Sequence, residues 1–600
     1  MTTIETSAAT PAIVSPSRAW LRALELTAPI PKNPHRTLPA VIEEVAARMG
    51  NAPALVSDRE SLTYAGLAHR TNQYARWALN QGLAKGDVVC LLMTNRPEYF
   101  AVWLGLTSVG VVVSLLNTNL VGTSLAHCIR IVAPKHIVAS AEFVDTLTEI
   151  LPQLETSPAV STHGHEASSF PRIDREIESV SGEPLSAAER RPPTIEDRAL
   201  FIYTSGTTGL PKAAIVSHAR AMQWSHWFAG MMDVQPADRI YNCLPMYHSV
   251  GGVQTIGAML AAGGSVAVRE KFSASQFWPD VVRWDCTLFQ YIGELCRYLL
   301  HAAPSPAENQ HRIRLACGNG LAAEIWDPFK DRFRIPQILE FYAATEGSVS
   351  LFNIQGKRGA IGHIPGYLAH RFSPLLVETD IETGEPARNE QGLCIRSAPN
   401  QPGEALGKIA SDPSAMGSRF EGYTSSEASE KKILRNVLVA GDAWFRTGDL
   451  LRKDEKGYYY FVDRLGDTFR RKGENVATSE VAEVVCSFPG IQHANVYGVA
   501  VPGVEGRVGM AVLVTDRAFD FAALHAHLAS SLPPYARPAF LRTRGQANLT
   551  GTFKYSKTEL LREGYNPDLC ADPLYFDNAE EFVPLDGDLY RRIQAGEFRL

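Results

Sequence analysis

The chain has 600 residues, 45% hydrophobic, 20% charged and 9% aromatic, which excludes a collagen-like, coiled-coil or wholly disordered protein. Its 58 Lys and Arg against 64 Asp and Glu leave a net charge of −6, which argues against a protein that wraps nucleic acid. At about 150 residues per domain the length implies roughly four domain-sized units, fewer if the fold is a large α/β one.

The first 17 residues have neither a basic start nor an apolar core, so they do not read as a signal peptide, and residues 1–35 are expected to be a disordered tail. Short apolar runs then alternate with amphipathic stretches: Val88–Met93, Val111–Leu116, His136–Ala139, Leu200–Tyr203 and Leu315–Cys317. This rhythm predicts a doubly wound α/β core. Tyr99–Ile129 and Ile240–Val268 contain no Asp, Glu, Lys or Arg. Gly110 and the pair Gly263-Gly264 interrupt them, so each is read as a buried helix followed by a buried strand, not a membrane span. Gln153–Pro193, rich in Ser, Pro and Glu, is expected to be a surface loop. Beyond about residue 450 the texture changes. Tyr458–Val462, Ala494–Val501 and Gly509–Thr515 read as strands, and Phe521–Ser531 and Lys557–Arg562 as helices, which predicts a small α+β domain. The nine Cys stand singly, with no Cys-x-x-Cys pair. This reads as a reduced, cytoplasmic protein, with peripheral contact at the inner face of a membrane left open.

The chemistry begins at Thr204-Ser205-Gly206-Thr207-Thr208-Gly209-Leu210-Pro211-Lys212, directly after the Leu200–Tyr203 run. Glycines let the backbone aim its N–H groups at one point, hydroxyls add donors, and Lys212 adds charge, all suited to a polyphosphate. The spacing is not that of a Walker A loop. This string resembles the phosphate signature of the adenylate-forming superfamily, which includes acyl-CoA synthetases, luciferases and peptide-synthetase adenylation domains. Phe469–Val476, Pro534–Pro538, Glu563-Gly564-Tyr565 and Tyr590–Gly596 narrow the resemblance to the fatty-acid transport protein / very-long-chain acyl-CoA synthetase branch, over about residues 50–600.

The resemblance implies a large multi-layer adenylate-forming domain with parallel-sheet subdomains over 36–463. A small mobile α+β domain with a branch-specific tail follows over 464–600. It implies that Tyr342 stacks on adenine, that Thr345 contacts phosphate, and that Glu346, with Thr204, holds Mg²⁺. Gly318-Asn319-Gly320 would line the adenine pocket. The same glycines also fit a lone dinucleotide fingerprint, with Glu340 as its ribose acid, a weaker reading that would make the protein an oxidoreductase. Asp449 is implied for the ribose hydroxyls and Arg464 for the nucleotide. Gly466 stands where the superfamily commonly has a charged hinge residue. His248 would border the acyl and pantetheine tunnels, and Gly251-Gly252 would make room for a chain. Lys554, in Leu549–Lys557, would reach the carboxylate and α-phosphate, with Lys557 in reserve. Lys472-Gly473-Glu474 would serve the second half-reaction.

The activity so implied is fatty acid + ATP + CoA → acyl-CoA + AMP + pyrophosphate, on a long- or very-long-chain acid, with uptake by trapping. The partners are a fatty acid, ATP, coenzyme A and Mg²⁺. An acyl-AMP ligase that loads a carrier protein, and a fatty-acid transporter without ligase activity, remain as alternatives.

Overall fold

The β-branched runs become the central strands of two sheets, because only burial on both faces satisfies such continuous apolar segments. A computed structural model describes residues 15–164, 169–204, 210–381, 383–410, 419–471, 474–504, 506–515, 520–545 and 557–598. The chain divides into two compact units, one of Met1–Leu321, Pro328–Lys357 and Ile409–Lys431, the other of Ala322–Asp327, Arg358–Lys408 and Lys432–Leu600. The boundary expected at 463/464 falls at the end of a strand, Tyr458–Arg464, inside the second unit.

Among the described residues, the first unit holds two largely parallel sheets. One has eight strands. Its parallel part runs from Ile338–Ala343 through Leu315–Asn319, Leu288–Ile292, Arg239–Asn242 and Ser265–Val268 to Pro53–Val56, with an antiparallel strand at each edge. The other has six strands and ends in the antiparallel pair Arg198–Thr204 and Lys212–Ser217. The two charge-free stretches fold as expected. Pro97–Ser108 is a buried helix before the strand Val112–Leu115, and the helix Thr255–Ala262 precedes the strand Ser265–Val268. Among the described residues no helix is long and apolar enough to cross a membrane.

The second unit contains an antiparallel sheet that includes Gly403–Lys408, Ala443–Lys453 and Tyr458–Arg464, a hairpin of Phe469–Arg471 with Glu474–Val476, and a five-stranded sheet. The helix Phe521–Ser531 matches its predicted bounds. Three strands of the last sheet, Phe540–Arg544, Leu574–Asp577 and Phe582–Pro584, carry too little alternation to be read from sequence.

Two expectations are corrected. The tail predicted over residues 1–35 contains a helix, Pro16–Thr27, whose Ala19, Trp20 and Ala23 are fully buried. The Trp20 ring meets Trp227 and Phe352 edge-on at 5.6 and 5.9 Å. Gly230 makes the approach possible, since a Cβ there would lie 2.5 Å from the Ala23 nitrogen. Likewise Gln153–Pro193 is no bare loop: Ala159–His163 adds a parallel strand beside His136–Ser140, and Ile173 and Ile177 are fully buried. Replacing Trp20 by Ala should destabilise the protein by about 3–5 kcal/mol, as for other buried aromatics. Chemical denaturation measures this, and an unchanged midpoint would return the segment to the status of a tail.

Candidate functional site

The strand Arg198–Thr204 pairs with Lys212–Ser217 so that Thr204 lies opposite Lys212. The two strand ends that flank residues 205–209 therefore lie side by side. Ser205, Gly206, Thr207, Thr208 and Gly209 lie outside the described residues, as do Lys472, Gly473 and Lys554, and the side chain of Lys557. The Lys212 ammonium sits 5.7 Å from the ring centre of Tyr423.

Tyr342, Thr345 and Glu346 follow from one strand, Ile338–Ala343, whose last residues leave the sheet toward the turn at Thr345–Gly347. Glu346 is 8% exposed. Its Oε1 accepts a hydrogen bond of 2.5 Å from the Tyr423 hydroxyl, which also faces the Thr204 hydroxyl. Burial and the Glu346 carboxylate push the Tyr423 phenol well above its ordinary range, so it stays a donor. The Thr345 hydroxyl lies 3.3 Å from the Ser249 hydroxyl. Thr204, Lys212, Thr345 and Glu346 are thus gathered around Tyr423 and Ser249.

A metal is consistent with this donor set. Mg²⁺ takes one or two carboxylates and completes its shell with phosphate and water oxygens. Glu346 supplies a buried carboxylate that shares the Tyr423 phenol with the Thr204 hydroxyl, whereas among the described residues no cluster of three or more His, Cys, Asp or Glu could cage an ion alone.

His248 precedes a short π-helical turn, Ser249–Gln254, and its ring lies 4.5 Å from that of Tyr247. The reading of Gly251-Gly252 as room for a chain is corrected. A Cβ on Gly252 would fall 1.8 Å from the Met246 carbonyl oxygen, and one on Gly251 2.6 Å from that of Pro245. What the pair makes room for is the chain's own carbonyls, which lets it fold back on itself.

Gly318 and Asn319 end the strand Leu315–Asn319, and Gly320 follows it. Gly320 has φ +80°, and a Cβ on Gly318 would lie 2.2 Å from the Tyr291 carbonyl oxygen, so both positions require glycine. Glu340 holds this loop from below. Its Oε1 accepts the Gly320 and Leu321 N–H groups at 2.5 and 3.2 Å, and its Oε2 the Tyr291 hydroxyl at 2.5 Å. At 2% exposure it is committed to the loop and cannot serve a ribose, which removes the ground for the dinucleotide reading.

In the second unit, Arg464 Nε lies 3.3 Å from Asp449 Oδ1, and the two residues are paired across adjacent strands. Gly466 follows with φ +90° and open space where a Cβ would be, so the turn after Arg464 uses the left-handed region that glycine enters freely. Glu474 is exposed at the start of its hairpin strand. Asp463, adjacent to Arg464, is 3% exposed and accepts hydrogen bonds from the Thr478 N–H at 2.6 Å and the Thr468 hydroxyl at 3.1 Å.

Sequence reasoning missed Tyr423 and the clamping role of Glu340. Tyr423 is 77 positions from Glu346 and carries no local pattern; only its isolated bridge to Ala214 reveals it. Glu340 alternates with Phe341 along a buried strand, and a charged residue in such a run is itself a signal.

The chain is similar to known proteins in both sequence and fold. Residues 42–403 match the AMP-binding enzyme family, and residues 480–554 the AMP-binding enzyme C-terminal domain. Long-chain fatty acid transport protein 1 of Mus musculus is 42% identical over 575 residues, covering 94% of this chain and 88% of that protein. Long-chain fatty acid transport protein 6 of Homo sapiens is 40% identical over 568 residues, covering 92% and 90%. Among solved structures, ATP-bound MatB from Rhodopseudomonas palustris aligns with a TM-score of 0.73 at 23% identity, over 88% of this chain and 99% of that one. The anthranilate CoA ligase AuaEII with anthranoyl-AMP aligns with a TM-score of 0.73 at 18% identity, over 86% and 95%. These two show a shared fold.

Burial raises the Glu340 carboxyl from its ordinary 4.5 to about 8, against the pull of its three donors. Between those pH values the folded protein keeps a proton that the unfolded chain has released. The stability linked to this group is therefore full below about 4.5 and lost as pH rises through about 8. Glu340→Gln should flatten the fall in melting temperature between about pH 5 and about pH 8.5. An undiminished fall would place the titrating group elsewhere.

Proposed function

Because the chain belongs to the AMP-binding enzymes, among the long-chain fatty acid transport proteins, we propose that it activates a long- or very-long-chain fatty acid with ATP and transfers it to coenzyme A. The observation that carries the reading is the grouping of Thr204, Lys212 and Glu346 around Tyr423, with Thr345 next to Glu346 in the chain and against Ser249. A polyphosphate needs local cations and aimed hydroxyls, and a chain with net charge −6 must supply them locally.

In the first half-reaction the fatty carboxylate attacks the α-phosphorus of ATP, giving acyl-AMP and pyrophosphate. Lys212 and Lys554 offset the developing negative charge, and the Thr204 and Thr345 hydroxyls orient the phosphates. Tyr342 is assigned to stack on the base and Gly318–Gly320 to line its pocket, and Asp449, with Arg464 beside it, to accept from the ribose hydroxyls. A magnesium ion on Glu346 and Thr204 would neutralise phosphate charge when bound. Catalysis of this kind is positioning and electrostatics, and the loss of one aimed donor costs about 3–4 kcal/mol of barrier.

In the second half-reaction the CoA thiolate displaces AMP and the thioester leaves. We assign the turn at 464–466 as the pivot that withdraws Lys554 and presents Lys472-Gly473-Glu474. The φ of Gly466 supports a pivot, since glycine absorbs large backbone changes. His248, which precedes the Ser249 that meets Thr345, is assigned to the border of the acyl and pantetheine tunnels. No Ser or Cys nucleophile takes part. All nine Cys are free thiols and eight of them are buried. Conversion to a charged, bulky thioester also traps an acid that has crossed a membrane, which supplies the uptake for which the relatives are named.

The reading is tested by pyrophosphate release over carboxylates from acetate to very long chains, with and without CoA. The expected result is release that grows with chain length and AMP release that requires CoA. AMP release dependent on a carrier protein instead would make the enzyme an acyl-AMP ligase. Lys554→Ala should abolish pyrophosphate release and leave thioester formation from supplied acyl-AMP nearly intact; equal loss of both would remove Lys554 from its role.

A further inference from the structure

Arg220 lies in the first turn of the helix His218–Met232, is 7% exposed, and contacts no group that the proposed chemistry names by its side chain. Its guanidinium is nonetheless arranged around the phosphate site. One terminal nitrogen donates to the Thr345 carbonyl at 3.1 Å and to the Gly347 carbonyl at 2.8 Å, the carbonyls of the residues on either side of Glu346. The other donates to the Arg419 carbonyl at 2.7 Å. Nε faces Glu421 Oε2 at 3.5 Å. Glu421 in turn accepts the Ser217 N–H at 2.7 Å and the Ser217 hydroxyl at 2.5 Å. The same Ser217 oxygen caps the helix by accepting the Arg220 N–H at 3.1 Å.

The planar guanidinium fork can grip two carbonyls of one turn while holding a third from another segment; a lysine ammonium has no such fixed geometry. Burying its charge is tolerable because Glu421 lies beside it, and removing either partner leaves the other buried and uncompensated. Glu346 is thus held from two sides, by Tyr423 at the carboxylate and by Arg220 at the adjoining backbone.

We propose that Arg220, anchored by Glu421, is a positioning residue for adenylation: it sets the Thr345–Gly347 turn and so aims the Thr345 hydroxyl and the Glu346 carboxylate at the phosphates. It acts through the backbone and touches no reacting atom. The assignment rests on the adenylation reading above.

The test compares Arg220→Lys, Arg220→Gln and Glu421→Gln with the wild type in four measurements: ATP KM, pyrophosphate release, thioester formation from supplied acyl-AMP, and melting temperature. Arg220→Lys should raise the ATP KM and slow pyrophosphate release by about 10–100-fold overall in kcat/KM, with thioester formation within about threefold of wild type. Glu421→Gln, which keeps shape and removes the counter-charge, should shift the same two quantities in the same direction. Equal loss in both half-reactions, or an unchanged ATP KM, overturns the assignment. If Arg220→Gln fails to fold, the Lys and Glu421 variants decide. If the wild type binds ATP yet releases no pyrophosphate, the adenylation reading fails, and calorimetric ATP affinity of wild type against Arg220→Lys still decides whether Arg220 sets the site.

Discussion

The site in the first unit depends on a pairing between segments about 200 residues apart. The Ile215 N–H donates to the Gly422 carbonyl and the Thr424 N–H to the Ala213 carbonyl, both at 3.0 Å. Lys212–Ser217 is the last strand of its six-stranded sheet, and an edge strand presents unpaired backbone groups that invite a partner. The 422–424 segment is that partner. It buries Tyr423 against Ala214 and Ala428 and thereby delivers the phenol to Glu346. It also carries Glu421 and the Arg419 carbonyl to Arg220. One short backbone ladder thus fixes a hydroxyl, a carboxylate and a guanidinium at once.

Three buried acids, two in the first unit and one in the second, are met by aimed donors. Glu346 takes a phenol, Glu340 two backbone N–H groups and a phenol, and Asp463 a backbone N–H and hydroxyls. This is the expected solution where water is excluded, because an unmet buried acceptor costs more than a typical hydrogen bond returns. The distinction among them lies in the donors. Glu340 faces Tyr291, Cys296 and Cys317 and no described cation, and its carboxyl is raised. Glu421 has Arg220 beside it.

Much of the fold was legible because its elements are locally determined. Glycines split Tyr99–Ile129 and Ile240–Val268 where the helices end, and the prolines after Phe521–Ser531 stop that helix at the residue expected. The motif from Tyr342 to Glu346 and the pair Thr204 and Lys212 were legible through their order along the chain. What escaped depends on contacts distant in sequence. Pro16–Thr27 has a narrow apolar stripe that gains meaning only beside Gly230 and Phe352. Arg220 and Tyr423 have no periodicity to mark them. Gly251-Gly252 was noticed, but whether a glycine admits a ligand or the chain's own carbonyls is a question of packing.

Asp463 stands on one side of the turn that contains Gly466, and its donors Thr468 and Thr478 stand on the other. A pivot at that glycine, if the chain turns there as proposed, would have to release the Asp463 carboxylate from these donors, so the acid ties down a turn that glycine alone would leave loose.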